Sequence, residues 1–218
     1  DNVEAGTVIA LLDIDHFKDI NDTLGHDAGD GLLNKIANRI REALPPGDVV
    51  ARLGGDEFAL ILRDCPTRTE KEARVALILD TFRNPITLCG TERRITASIG
   101  ATRFPEEGRT TGELLKNADI ALYAAKEKGR DRAEMFSEQM RNGVQRRAEL
   151  RSRFENGIGN GEFHVHYQPI VPIKGDTPVN MEALLRWKHP DRGLIHPPEF
   201  MEALRDEGLA ALVDDFVL

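Results

Sequence analysis

Apolar residues along this chain follow two rhythms, and the switches between them mark out its elements. Residues 7–12 (TVIALL) form an unbroken apolar run, the pattern of a strand covered on both faces. Between 27 and 44 the apolar positions Leu33, Ile36, Ala37, Ile40 and Leu44 recur at helical spacing; Gly25 breaks the segment before, and Pro45-Pro46-Gly47 ends the helix. Val49-Val50-Ala51 and Phe58-Ala59-Leu60-Ile61-Leu62 flank Gly54-Gly55 and predict a β-hairpin, since tight primed turns need a positive φ that glycine supplies freely. Residues 67–82 return to helical spacing (Val75, Ile78, Leu79, Phe82) until Asn84-Pro85. Residues 86–88 and 94–102 predict strands, the second alternating Ile95, Ala97, Ile99 and Ala101. A helix over 111–128 turns Leu114, Leu115, Ala118, Leu122 and Ala125 inward, and 133–136 is a last short strand.

The order β, α, α, β-hairpin, α, β, β, α, β predicts an α/β (α+β) fold, a ferredoxin-like sandwich with a central, mostly antiparallel sheet, over residues 1–136. Residues 137–161 are charged with a helical pattern and predict a solvated linker helix capped by the glycines of 157–161. In 162–218, residues 163–173 and 179–187 are strand-like, 198–205 are helical in pattern, and an apolar tail follows. These cannot enclose a core of their own, so the chain is expected to stop inside a second domain.

Composition narrows the function. With 40% hydrophobic and 30% charged residues the chain is an ordinary globular protein, which excludes disorder. A net charge of -8 argues against a broad basic face for duplex DNA or another nucleic-acid polymer, yet leaves room for a nucleotide held by a few local Lys and Arg. No run of about 18 apolar residues predicts a membrane segment, and no signal peptide is evident at the start, so a cytoplasmic location is expected. Cys65 and Cys89 lack metal-ligand spacing and are expected to be two buried free thiols. His164 and His166 share a strand face without a third ligand nearby.

The chemistry concentrates in acidic residues at strand ends. The first strand runs out into Asp13-Ile14-Asp15, and period 2 puts Asp13 and Asp15 on one side at its carboxyl edge, where α/β proteins hold ligands. The alternative for one of them, Asp15, is a helix cap. Asp56 and Glu57 follow the glycine turn, and two adjacent carboxylates need a cation or water. Lys126 and Arg130, four apart at a helix end, share a face; they serve either an anion or the helix dipole.

Three segments together resemble the GGDEF, or diguanylate cyclase, family: LLDIDHFKDINDTLGHDAGD from Leu11, RLGGDEF from Arg52 and NADIALYAAKEKGRDR from Asn117. The resemblance implies condensation of two GTP into cyclic di-GMP with release of pyrophosphate, each 3′-hydroxyl attacking the partner's α-phosphorus. It implies that Asp13, the carbonyl of Ile14 and Asp56 hold Mg²⁺ (or Mn²⁺), a hard ion that takes oxygen ligands. Glu57 helps place a second metal or accepts the hydroxyl proton. Lys18, Lys126 and Arg130, with the amides of His16 and Phe17, meet the phosphates. Asn21 and Asp30 read guanine, and Gly54 and Gly55 let the backbone approach. The alternative is a catalytically silent GTP-binding module regulating a phosphodiesterase. Because the carboxylate pair and the phosphate cluster each occur once, joining two identical nucleotides calls for two chains across a two-fold axis, a homodimer.

Two departures stand out. The family's Arg-x-x-Asp product-binding pair keeps Asp48 but has Pro45 at the arginine position. The chain also opens after the helix and Asp-x-Leu-Thr segment with which family members begin, so a missing N-terminal segment and an upstream sensor are expected. The tail, with YQPIV from Tyr167, MEALLRW from Met181 and HPDRGLIHPPEF from His189, resembles the first part of an EAL domain, a cyclic di-GMP phosphodiesterase with a barrel fold. There Glu182 corresponds to a metal ligand, and Gln168 and Arg186 to dinucleotide contacts. Fewer than seventy residues make only an incomplete barrel segment.

Overall fold

The computed structural model describes residues 6–171 and 180–200, together with Val213, Phe216 and Val217. The chain forms two compact units, Asp1–Arg141 and Asn142–Leu218.

The first unit is a mixed α/β layer structure. Its elements are β1 (Thr7–Ile14), α1 (Phe17–Leu24), α2 (His26–Ala43), β2 (Val49–Gly54), β3 (Glu57–Leu62), α3 (Arg68–Asp80), β4 (Ile86–Leu88), β5 (Thr91–Arg93), β6 (Ala97–Phe104), α4 (Thr111–Glu127) and β7 (Arg132–Met135). Five strands form one sheet in the order β2-β3-β1-β6-β7, antiparallel except for β6–β7. β1 lies in the middle, and the apolar run of its sequence follows from that: Val8, Ala10, Leu12 and Ile14 are all buried. Leu32, Leu33, Ile36 and Ile40 of α2 and Val75 and Ile78 of α3 join β1, β3 and β6 in one core. Capping boxes start α3 at Thr67, with Glu70, and α4 at Thr110, with Glu113.

One approach in this unit is unusually close. A Cβ at Gly100 of β6 would overlap the main chain of Ala118 and Leu122, so α4 lies directly on the strand backbone there. That contact fixes the end of α4 over the end of β1.

Two expectations change here. The strand predicted over 94–102 begins at Ala97, because Cys89 (φ 50) and Gly90 (φ 78) reverse the chain and let β5 pair back on β4 as a separate ribbon. For the same reason Cys89, at the tip of that reversal, is exposed; Cys65 is the buried thiol.

The second unit contains most of α5 (Glu138–Gly159), then β8 (Phe163–Ile170), β9 (Asn180–His189), β10 (Gly193–Ile195) and α6 (Pro197–Phe200). The strands form an antiparallel sheet in the order β10-β9-β8, and no closed barrel is present among the described residues. Its core is four aromatic side chains and one aliphatic: Phe154, Phe163, Trp187 and Phe200 are buried together with Ile195, and Phe163 stacks on Trp187 at 5.1 Å between ring centres. α5 is therefore more than a solvated linker, because Phe154 is fully buried in this cluster. Gly157 is not a cap but lies inside the helix, where a Cβ would press to 2.9 Å on the Phe163 ring. The strand predicted beyond 171 and the helix predicted beyond 200 lie outside the described residues.

Candidate functional site

Three elements bring charged groups to the carboxyl end of β1. In the antiparallel β1–β3 register Asp13 stands directly opposite Glu57, so the two side chains share a face at about 4.5–5.5 Å between Cβ atoms. Asp56 precedes Glu57 in the hairpin turn and is half-buried. A bulge between Arg52 and Gly54 and the left-handed Gly55 (φ 53) shape that turn, and Arg52 Nε closes it with a 2.9 Å hydrogen bond donated to the Gly55 carbonyl. The space beside Gly54 and Gly55 is open, which leaves the turn backbone accessible to a ligand.

From the other side, α4 ends over β1. Lys126, in its last turn, places Nζ 2.7 Å from Asp13 Oδ2. The Asp13 side chain is 12% exposed and that of Lys126 34%. Burial pushes the Asp13 carboxyl above its ordinary range; the Lys126 ammonium pulls it back, and the nearby charges of Asp56 and Asp15 push it up again. Asp13 and Asp56 thus feel one another, although no three His, Cys, Asp or Glu side chains close into a metal cage among the described residues.

Asp15 has a different fate. Its carboxylate accepts hydrogen bonds from Thr96 Oγ1 and Ser98 Oγ, both at 2.7 Å, and from the amide of Asp131 at 3.1 Å. It ties β1 to the start of β6 and to the loop after α4, which is a structural role.

The β1–α1 connection supplies backbone donors. His16 is left-handed (φ 58) and makes no side-chain cap, so the first amides of α1, from Phe17 on, have no side-chain acceptor there. Phe17 is buried and Lys18 exposed. Asn21 of α1 leans on α2: a Cβ at Gly29 would overlap Asn21 Oδ1 and stand 3.2 Å from the Phe17 ring. Asp30, exposed, is the next residue. Glycine at position 29 leaves the Asn21 side chain room against α2.

Arg130 does not share a helical face with Lys126. Gly129 (φ 105) and Arg130 (φ 59) are both left-handed, and their amides bond back to the Lys126 and Ala125 carbonyls. This is a Schellman ending, which turns the chain away from the helix path. Arg130 stands exposed on the loop beside Asp131.

Asp48 is also committed. Its side chain is 2% exposed, pairs with Arg74 at 2.6 Å and accepts the Arg63 amide at 2.7 Å. In the second unit, Gln168 and Glu182 are register partners on β8 and β9, and Arg186, two residues along the same face past Leu184, is opposite His164. This face is the one turned away from Phe163 and Trp187.

The profile described as "Diguanylate cyclase, GGDEF domain" matches residues 2–132. The chain belongs to the GGDEF family. The GGDEF domain is followed by part of an EAL domain, whose profile matches residues 150–218. Cyclic di-GMP phosphodiesterase NbdA of Pseudomonas aeruginosa is 38% identical over 213 residues, 98% of this chain and 27% of that protein. The bifunctional diguanylate cyclase/cyclic di-GMP phosphodiesterase MucR of the same organism is 36% identical over 215 residues, 96% of this chain and 30% of that protein. The chain therefore spans less than a third of these relatives. Among solved structures, the GGDEF domain of TpbB (YfiN) from P. aeruginosa superposes with a TM-score of 0.62 and 37% identity, covering 64% of this chain and 81% of that one. This GGDEF–EAL pairing places the chain in cyclic di-GMP signalling. Among its described residues no helix is long and apolar enough to cross a membrane.

Proposed function

We propose that the GGDEF unit is an active diguanylate cyclase that holds one GTP per chain and works as a homodimer in the cytoplasm. The observation that carries this reading is the meeting of Asp13, Glu57, Asp56 and Lys126 from three separate elements at the end of β1.

The donor set suits a hard divalent cation. Asp13, the Ile14 carbonyl, Asp56 and Glu57 offer only oxygen, the ligand type that Mg²⁺ or Mn²⁺ takes. Bound there, the ion would offset charge on the α-phosphate and promote ionisation of the attacking hydroxyl. The remaining work falls to the chain. Lys18, Lys126 and Arg130, with the His16 and Phe17 amides, meet the triphosphate and stabilise the pyrophosphate as it leaves. Asn21 and Asp30 hold the guanine edge, Asp30 accepting from N1–H and the 2-amino group together. Gly54 and Gly55 let the turn lie against the nucleotide. Glu57 takes the 3′-hydroxyl proton as that oxygen bonds to the partner's α-phosphorus and pyrophosphate departs. The same step in the opposite direction closes the ring, and this needs two chains face to face.

The test is incubation with GTP and Mg²⁺, with chromatography for the cyclic dinucleotide, repeated with Asp56→Asn. Product from the unaltered chain and none from the variant is the expected result; equal turnover by both refutes the site. Specific activity should fall on dilution, and a constant value per chain would count against the dimer.

A second reading is favoured by the name of NbdA and by the alignment of Gln168, Glu182 and Arg186 on one sheet face. In it, the GGDEF unit binds GTP without turning it over and regulates phosphodiester hydrolysis by a complete EAL domain. GTP binding without product, with hydrolysis of cyclic di-GMP by a longer form of the protein, would decide for it.

A further inference from the structure

Lys126 has two partners in the proposed site and cannot serve both together. Its ammonium lies 2.7 Å from Asp13 Oδ2, and that carboxylate is the one assigned above to the divalent ion. A magnesium ion bonds such an oxygen at about 2.0–2.1 Å. It would then face a second positive charge beside a largely buried carboxylate, where solvent screens little. Asp56 adds its negative charge to the same place, so whichever cation occupies Asp13 is well held. Lys126 also has room to leave: its side chain is one-third exposed, and a lysine carries its charge on a flexible stem. What would draw it away is a triphosphate, the other partner this position is suited to meet.

We propose that Lys126 is a placeholder cation, competing with the divalent ion for Asp13 and yielding only when a nucleotide triphosphate takes its ammonium. Metal and nucleotide then enter as one complex, and a bare ion is held off. The proposal rests on the site assignment in the preceding subsection and adds to it an order of binding.

The experiment titrates the whole chain with Mn²⁺ by electron paramagnetic resonance, first without nucleotide and then with a non-hydrolysable GTP analogue. Lys126→Met should bind Mn²⁺ alone about tenfold or more tightly than the unaltered chain, and the Mn²⁺–analogue complex at least about tenfold more weakly. Lys126→Arg, which keeps the charge, should stay near the unaltered chain for Mn²⁺ alone. The gain should vanish in Lys126→Met combined with Asp13→Asn. Equal Mn²⁺ affinity in Lys126→Met and the unaltered chain overturns the proposal, as does a gain that survives Asp13→Asn. A measurement on the unaltered chain covers the case in which Lys126→Met fails to fold: the ¹⁵Nζ resonance of Lys126 should ignore Mg²⁺ alone and shift with Mg²⁺ plus the analogue. A shift with Mg²⁺ alone also overturns it. Should Asp56→Asn abolish turnover while these Mn²⁺ affinities stay equal, the cyclase site stands and the placeholder alone falls.

Discussion

Gly100→Ala offers the sharpest test of how the fold builds its site, because the residue touches nothing in that site. Gly100 sits mid-strand in β6, opposite Leu11 on one side and Glu134 on the other. A Cβ there would overlap Leu122 N and Ala118 O and stand 2.6 Å from Leu122 Cα. These are main-chain atoms, so no rotamer change relieves the clash, and α4 must lift by about 1 Å. Overpacking typically costs about 1–3 kcal/mol; against a rigid helix backbone we expect the upper end, about 3 kcal/mol. For a unit of this size that corresponds to a loss of roughly 6–12 °C in Tm. Ala118 and Leu122 lie two turns and one turn before Lys126 on the same helical face, so the lift carries the ammonium away from Asp13. A misplacement of about 1 Å can cost on the order of 10²-fold in rate, and we expect that loss in cyclic di-GMP formation well below the melting range. Urea denaturation followed by circular dichroism measures the first effect and initial rates at saturating GTP the second. Gly112→Ala is the control: it lies in the first turn of the same helix with open space around it and should stabilise by up to about 1 kcal/mol. If Gly100→Ala behaves like Gly112→Ala, α4 does not lie on β6 as described.

Arg74→Ala should destabilise by about 3–5 kcal/mol in urea, since it strands the buried Asp48 carboxylate with the Arg63 amide as its remaining partner. Because Asp48 is spent on Arg74 and Pro45 offers no guanidinium, titration calorimetry should find no tight cyclic di-GMP site that Asp48→Ala abolishes. Thr110→Ala should cost about 1 kcal/mol at neutral pH. The amides of Arg109 and Thr110 hold the Glu113 carboxyl below its ordinary value of 4.5; that contribution is present above 4.5 and fades as pH falls through the lowered value, so the gap in Tm between Glu113→Gln and the parent should narrow in acid. Asp13 runs the other way. Burial first, then Asp56 and Asp15 on top of it, raises its carboxyl above 3.8 despite Lys126, so the folded chain keeps a proton that the unfolded chain has released, and stability falls as pH climbs from 3.8 through the raised value. Asp13→Asn should flatten that part of the Tm–pH curve while abolishing product.

Much of the first unit is legible because its signals are local. The apolar run of β1, the 3.6-residue period of α2 and the glycine pair before Asp56 each depend on neighbours a few residues away. What escapes the sequence is pairing at a distance. Strand alternation makes Asp13 and Asp15 equivalent, yet the donors that separate them, Thr96, Ser98 and the Asp131 amide, come from 81 to 116 residues later. Asp48 reads as half of a ligand-binding pair until Arg74, 26 residues on, closes over it. Gly129 marks the end of α4, but the run of left-handed residues from Gly129 to Asp131, which takes Arg130 off the helix face, needs the backbone to be seen. Phe154 is one apolar residue in a charged stretch, and its burial depends on β8 and β9 arriving to cover it.

These three aspartates show how a functional carboxylate differs from a structural one of similar burial. Asp15 is satisfied by two hydroxyls and an amide, neutral donors fixed by the β6 strand and the loop after α4. Asp48 is satisfied by a guanidinium from α3 and an amide from the end of β3. Both arrangements are rigid, and filling them stabilises the fold. Asp13 instead meets one ammonium on a flexible, partly exposed stem and stands near two further negative charges. A carboxylate placed that way weakens the fold by itself and is eased by whatever cation approaches. Local electrostatic conflict at an otherwise consistent strand end is the expected signature of a site shaped by binding rather than by stability.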